Sequence, residues 1–405
     1  MRRVVVGAVV AIGLAGCGGS PNDQRITSKT LTLYAGLPLR GEQADAGRAA
    51  LRGMKLALKE ADGKAGRFSI SLAALDDTDT KTGRWAPGQV AANARRAAQN
   101  PTVIGYIGDI ASGATAVSLP ITNELGILQV SPLSGYPGLT EATDKGEPDK
   151  YYPSGRRTFA RIVPSGDVEA HGLASWLHEL GYDKVALAYD GLQDGLGQGR
   201  DVEEALREAG IDLVEIVRVN PRASGPDDVD SQARDLARAP ARAVLYAGGS
   251  TKAALALLRA VHERSPDKKL FATDGVAGTT LAQGLGPAES ETRVASPLIG
   301  VAHRPPAARR MASRYAEAFG EPPPPAALFG YEAMRSVLAA IRRAGPRGND
   351  RRDVVESYLA TRAPSSVLGP YAIRSGGDTT STTYGGFDVR GGRLRFDRLL
   401  LQKAR

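Results

Sequence analysis

One pattern runs through the chain twice: short apolar stretches alternate with longer amphipathic ones. Residues 30–36, 68–75, 102–107 and 127–131 read as strands. Between them, 47–62, 89–99 and 112–125 have helical spacing, the last in a helix that tolerates Pro120. Alternation at this pitch builds βαβ units around a parallel sheet. Residues 135–157, rich in Gly, Pro and charge, break the rhythm as a long surface loop. It then restarts, with helices predicted at 168–180, 201–209, 229–238 and 251–264. The strands of this second run fall at 184–189, 213–219, 243–246 and 270–273. Two such runs in a chain of 405 residues exceed what one core serves, so two lobes of like topology are expected. Helices at 307–319 and 327–344 follow. Residues 367–401 return to strand and turn, punctuated by Gly376-Gly377 and Gly391-Gly392.

The first twenty residues, MRRVVVGAVVAIGLAGCGGS, place Arg2 and Arg3 before an apolar run that ends in small residues around Cys17. That is the layout of a secretory signal, and it falls short of the roughly 18 apolar residues of a membrane span. The ending Leu14-Ala15-Gly16-Cys17 resembles the bacterial lipobox, which implies removal of residues 1–16 and lipidation of Cys17. Cys17 is the only cysteine, so no intrachain disulfide can form and no other thiol can act. Residues 17–29 read as the acylated cysteine and a flexible tether. Without residues 1–16 the chain carries 50 Lys and Arg against 44 acids, a net charge of +6. These charges are interspersed and aromatics make up only 5%, which argues against a nucleic-acid partner.

No catalytic constellation is legible. There is no G-x-S-x-G, H-E-x-x-H or Walker motif, and the four histidines lie apart at 171, 178, 262 and 303. His171 and His178 share a helix face without a third ligand, so neither metal nor cofactor is expected. GLGQGR, 195–200, lacks the third glycine of a dinucleotide fingerprint and reads as a tight turn before a helix. More informative is GYIGDIASGATAVSLP, 105–120, where a strand ends and a helix opens near Ser112. The N–H groups of Gly113, Ala114 and Thr115 point out of that helix start, which suits an anion; a plain capped helix suits it equally. In open α/β sheets the ligand sits beyond the carboxyl ends of the strands, where this segment lies. LYAGGST, 245–251, and FATDGVAG, 271–278, take the matching place in the second run. Asp274 there is placed either to accept an ammonium or to cap its own turn. An anion seat facing a carboxylate would suit a zwitterion.

The succession RGMKLALKEADG (52–63), LDDTDT (75–80), VIGYIGDIASGAT (103–115), GILQVSPLSG (126–135), RIVPSGD (161–167), VALAYDG (185–191) and GYEAM (330–334) resembles the leucine/isoleucine/valine-binding family. These are type I periplasmic-type substrate-binding proteins of ABC importers. The resemblance implies an α/β fold of two doubly wound parallel-sheet lobes, 30–160 with 300–375 and 161–299 with 376–405. Three hinge crossovers would join them, near 161–163, 296–300 and 375–383. It also implies a ligand set. Ser112, Gly113, Ala114 and Thr115 would hold the ligand's charged end together with Leu133, Ser134, Gly135 and Tyr136. Leu196, Ser250 and Asp274 would close from the other lobe.

This chain departs from the family pattern at three places. Gly135 stands where a hydroxyl is common, Leu196 where an aromatic is expected, and Ser250 where the family has Tyr. The resemblance implies an extracytoplasmic receptor that passes an amino acid or similar solute to an ABC permease and performs no bond chemistry; the lipobox adds a lipid anchor, and a monomer is the default expectation. A sensor built on the same lobes, or a cell-envelope hydrolase, are the alternatives.

Overall fold

The computed structural model describes residues 24–41, 43–190 and 193–400, with the backbone alone for 193–196. The signal segment, Cys17 and the first part of the tether lie outside the described residues.

Along the first run the elements are β1 (Thr30–Leu37), α1 (Ala44–Glu60), β2 (Lys64–Ala65), β3 (Phe68–Asp76), α2 (Pro87–Ala98), β4 (Val103–Ile107), α3 (Ser112–Glu124), β5 (Leu128–Ser131) and β6 (Phe159–Arg161). The second run comprises α4 (Gly166–Glu179), β7 (Lys184–Asp190), α5 (Gln193–Glu208), β8 (Asp212–Val219), α6 (Asp230–Arg238), β9 (Ala243–Ala247), α7 (Thr251–Arg264), β10 (Lys269–Ala272), α8 (Thr279–Gly284) and β11 (Thr292–Ser296). Then come α9 (Pro306–Phe319), α10 (Pro325–Arg343), α11 (Arg351–Leu359), β12 (Arg362–Ala363), β13 (Tyr371–Ala372), β14 (Tyr384–Val389) and β15 (Leu394–Leu400).

The strands form two main sheets, one per lobe. The first has the order β2-β3-β1-β4-β5-β6 and is parallel apart from β2. The second has the order β15-β14-β11-β10-β9-β7-β8 and is parallel from β8 to β11, with β14 and β15 added antiparallel. Central strands are apolar on both faces, as sheets sandwiched between helices must be: Ala243, Val244, Leu245 and Tyr246, successive residues of β9, are all fully buried. The chain changes sheet three times, between β6 and α4, between β11 and α9, and between β13 and β14. Met311 and Tyr315 of α9 and Ile373 after β13 lie in the same core as β1.

Helix α10 is buried along most of its length against α1, and glycines make that approach feasible. A β-carbon on Gly53 would stand 2.0 Å from the Ala327 carbonyl oxygen, and one on Gly330 2.0 Å from that of Ala50. The two helix backbones therefore touch directly.

Two expectations need correction. The GLGQGR segment is no turn: α5 begins at Gln193, so its glycines lie inside the helix. Gly197 and Gly199 are packing positions, since a β-carbon on Gly197 would meet the Tyr136 ring at 2.4 Å and one on Gly199 the Tyr189 ring at 3.2 Å. The described end of the tether is likewise part of the fold. Ile26 is buried in the first-lobe core, and its N–H donates to the Asn349 carbonyl at 2.8 Å.

Because the clash at Gly330 is with backbone, relief requires α1 and α10 to move apart. Gly330→Ala should cost about 1–3 kcal/mol, read as a lowered melting temperature in thermal denaturation. An unchanged melting temperature would show that the crossing tolerates separation.

Candidate functional site

Both parallel sheets point the carboxyl ends of their strands into the space between the lobes. In the first, strand order reverses at β1 and β4, and the loop after β4 feeds α3 at this switch point. Helix α3 starts at Ser112; its first closing bond is Thr115 N–H to the Ala111 carbonyl, 3.0 Å. The N–H groups of Ser112, Gly113 and Ala114 therefore have no partner within the helix, and the helix dipole adds positive potential there. The loop after β5 is pinned beside them. Tyr136 N–H donates to Ser112 Oγ at 3.1 Å, and the Thr115 and Ser134 hydroxyls share a buried bond of 2.6 Å. Residues 112–115 and 133–136 thus form one unit, with Leu133 packed against the first-lobe core.

The roles within that unit differ from the implied ones. Thr115 and Ser134 are fully buried and spend their hydroxyls joining the two loops; Ser134 Oγ also donates to the Asp109 carbonyl, 3.0 Å. Tyr136 turns its ring away to Gly197, and its hydroxyl donates to Glu147 at 2.8 Å. Ser112 keeps its hydroxyl hydrogen and stands half-exposed beside the three N–H groups.

Under this seat lies a pair of buried carboxyl groups, Asp77 and Asp109, both without solvent exposure. Tyr106 Oη and Ser118 Oγ donate to Asp109, at 3.0 and 2.5 Å, and Asn93 Nδ2 donates to Asp77 at 2.8 Å. Burial, then the charge of Asp109, push Asp77 up to about 9, so the pair keeps a shared proton at neutral pH.

Sequence reasoning missed Trp85. Residues 78–86 form a tight hairpin: Asp79 N–H donates to the Arg84 carbonyl at 2.8 Å, and Asp79 Oδ1 accepts the N–H groups of Lys81 and Thr82 at 2.9 and 2.8 Å. The hairpin lays the indole over the start of α3, where a β-carbon on Gly113 would be 2.7 Å from Cζ2. Glycine at 113 is what lets an aromatic wall stand against the helix end. A lone tryptophan in a Thr/Gly-rich loop just past a strand was the available signal.

In the second lobe the switch point lies between β7 and β9, and Asp190 closes it. Asp190 Oδ2 accepts the N–H groups of Gly249 and Ser250, each at 2.8 Å. Ser250 is buried; its hydroxyl donates to the Pro221 carbonyl at 2.7 Å and accepts from Ala253 N–H as the cap of α7. Its hydrogen is therefore committed within the protein. The side chain of Leu196 lies outside the described residues.

Asp274 is half-buried just beyond β10, and two side chains hold it. Gln198 Nε2 donates to its Oδ1 at 2.8 Å, and its N–H donates to Glu169 Oε1 at 2.6 Å. Glu169, in the first turn of α4, is almost fully buried; that burial, then the charge of Asp274, raise its carboxyl far above the usual range. Burial raises Asp274 as well, but bonds from Glu169, Gln198 and Gly275 work against that rise, so the proton of the pair rests on Glu169 and the negative charge on Asp274. The lobes meet close by: Gly166 N–H donates to the Gly135 carbonyl at 2.8 Å, and Arg200 pairs with Asp144 at 3.4 Å.

Beneath the crossovers sits Arg161, fully buried. Its Nε donates to Asp378 at 2.6 Å, and Nη1 donates to the carbonyls of Tyr136 at 2.7 Å and Ser134 at 3.3 Å. Among the described residues no cluster of His, Cys, Asp and Glu could hold a metal ion, and no helix is long and apolar enough to cross a membrane.

Two lobes, three chain crossings and a cleft lined by strand ends are matched by residues 36–393, which fit the model of the periplasmic binding proteins. The chain belongs to the periplasmic binding protein family. Its fold is the type I form. The Leu/Ile/Val-binding protein homolog 1 of Brucella melitensis is 24% identical over 382 residues, 93% of this chain and 94% of that one. The leucine-binding protein LivK of Thermotoga maritima superposes with a TM-score of 0.77 at 21% identity, covering 91% of this chain and 98% of that one. A solute-binding protein of an ABC transporter from R. palustris, solved with benzoate, gives 0.73 at 17% identity, over 92% and 97%. Members of this family are solute-binding proteins, and the family places this chain outside the cytoplasm.

The Asp77–Asp109 pair makes a pH prediction. In the unfolded chain Asp77 titrates near its ordinary 3.8, whereas in the fold it titrates near 9. Between those values the fold holds a proton the unfolded chain has released, so stability falls as pH rises through the window. In Asp77→Asn the amide oxygen can still accept from Asn93 and the NH₂ can donate to Asp109. Comparing melting temperatures at about pH 5 and pH 8, the variant should lose less stability between them than wild type; an equal loss would rule out the shared proton.

Proposed function

We propose that the chain captures an amino acid or a closely related carboxylate and delivers it to an ABC import permease from a lipid-anchored position. The observation carrying this reading is the pairing of opposite seats around one cleft. Partnerless N–H groups and the Ser112 hydroxyl suit a carboxylate in the first lobe. The singly charged Glu169–Asp274 pair suits an ammonium in the second. The names of the relatives agree in class, and the indole of Trp85 would border the part of the ligand that distinguishes one solute from another.

The mechanism is capture by closure. The first lobe seats the carboxylate, and bending at the three crossings brings Asp274 to the ammonium. The liganded closed form is then what a permease meets. Closure follows only because the ligand binds that state better than the open one. Acylation of Cys17 would hold the receptor at the membrane throughout. No bond is made or broken.

A thermal-shift screen of amino acids, amides and short carboxylates, with L-leucine, L-isoleucine and benzoate included, tests the class directly. We expect stabilisation by an α-amino acid without turnover. Asp274→Ala should weaken that ligand at least ~10-fold, as a loss of ~1.4 kcal/mol or more. Stabilisation by benzoate alone, or wild-type affinity in Asp274→Ala, would overturn the amino acid assignment. Tryptophan fluorescence gives a second readout, because Trp176, the other tryptophan, is buried in the second-lobe core. A ligand-induced change that disappears in Trp85→Phe would place Trp85 in the site.

A further inference from the structure

We infer that the edge of the first lobe where its parallel strands begin is a basic surface that rests on an anionic bilayer. This builds on the lipid-anchored reading above. The first observation is where the tether joins the fold. The Ile26 side chain is buried, and its backbone pairs with Asn349 in both directions, N–H to carbonyl at 2.8 Å and Asn349 Nδ2 to the Ile26 carbonyl at 2.5 Å. Arg351 N–H donates to the Gln24 carbonyl at 3.3 Å, and the Gln24 amide lies over Gly126, just before β5. The chain therefore leaves the body at the strand-start edge, opposite the cleft. Seven residue steps separate Gln24 from Cys17, at most ~25 Å when fully extended. An acyl anchor on Cys17 keeps this edge within that reach of lipid.

The second observation is the chemistry of the edge. Lys29 precedes β1, Lys64 opens β2, Arg67 precedes β3, Arg95 and Arg96 close α2 ahead of β4, and Arg342 lies in the last turn of α10. All six are exposed, and none forms an ion pair among the described residues. Several carboxylates there are already engaged: Asp353 with Arg347, Glu356 with Arg352, and Asp350 with the backbone at the start of α11. Asp62 and Glu124 remain. Leu125, 39% exposed beside Gly126, adds an apolar contact at the same edge. Cations without a carboxylate partner beside an apolar point suit lipid headgroups, whose negative charge is spread across a plane; Arg67 also donates to the Pro346 carbonyl. In this resting pose the cleft, at the far ends of the same strands, stays open to solute, and the receptor leaves the pose on its tether to meet the permease.

The test uses the chain from residue 17 onward, which contains every described residue, with Cys17→Ser so that no acyl chain contributes. Sedimentation with phosphatidylglycerol/phosphatidylcholine vesicles should pull it down. Phosphatidylcholine alone should not, and about 0.5 M salt should release it. Arg95→Glu with Arg96→Glu should weaken the vesicle binding at least ~5-fold while lowering the melting temperature by only a few degrees, the cost of acids at the carboxyl end of α2. Absence of phosphatidylglycerol binding, equal binding to both vesicles, or a charge-reversed protein that binds like its parent would overturn the inference. Membrane fractionation of cells expressing wild type or Cys17→Ser reads the anchor separately. Release of Cys17→Ser with failed vesicle binding sinks only the basic surface. Retention of Cys17→Ser beside vesicle binding that survives charge reversal sinks both.

Discussion

Everything in the cleft depends on one buried guanidinium. Arg161 closes the last strand of the first sheet, at the first place where the chain crosses between lobes. It is paired there with Asp378, which lies in the third crossing. A fully buried cation is tolerable only when its hydrogen-bonding capacity is satisfied, and here the remaining donors go to the carbonyls of Ser134 and Tyr136 and to the Thr140 hydroxyl. One side chain therefore fixes the hinge and the backbone of the ligand-seat loop together. Because that loop is also tied to Ser112 and Thr115, the geometry of the seat follows from the geometry of the hinge.

Carboxyl pairs carry the site's electrostatics in both lobes, with different outcomes. Asp77 and Asp109 lie wholly inside and share a proton that keeps them from repelling. Glu169 and Asp274 lie at the cleft edge, where the neutral acid supports its charged neighbour. Burial separates the dyad that lies wholly inside from the one at the cleft edge.

The two α/β runs were legible because period and length are local: buried strands must be apolar on both faces, and the helices between them must show one apolar side. The start of α3 was legible for the same reason, since a strand ending in Gly-Asp before Ser-Gly-Ala-Thr has few local solutions. Side-chain destinations were not. Ser250 reads as a cleft residue until Asp190, 60 positions away, draws its N–H inward and the cap takes its hydroxyl. The glycines of 195–199 read as a turn, yet Gly197 and Gly199 are spaces cut for the rings of Tyr136 and Tyr189. Trp85 gave only a faint signal, since nothing nearby in sequence says that Gly113 is its neighbour.

Sequence by itself determined two lobes of alternating strand and helix, a helix opening near Ser112 at a strand's carboxyl end, and a single cysteine at position 17. All of these follow from residue order within a few turns of chain. Tertiary structure decided which hydroxyls and carboxyls remain available. It committed Thr115, Ser134 and Ser250 to internal bonds, protonated Glu169 beside Asp274, stood Trp85 on Gly113, and folded Ile26 into the core. The physical reason is that availability depends on burial and on partners. Both are set by residues tens to hundreds of positions apart that only the folded chain brings together.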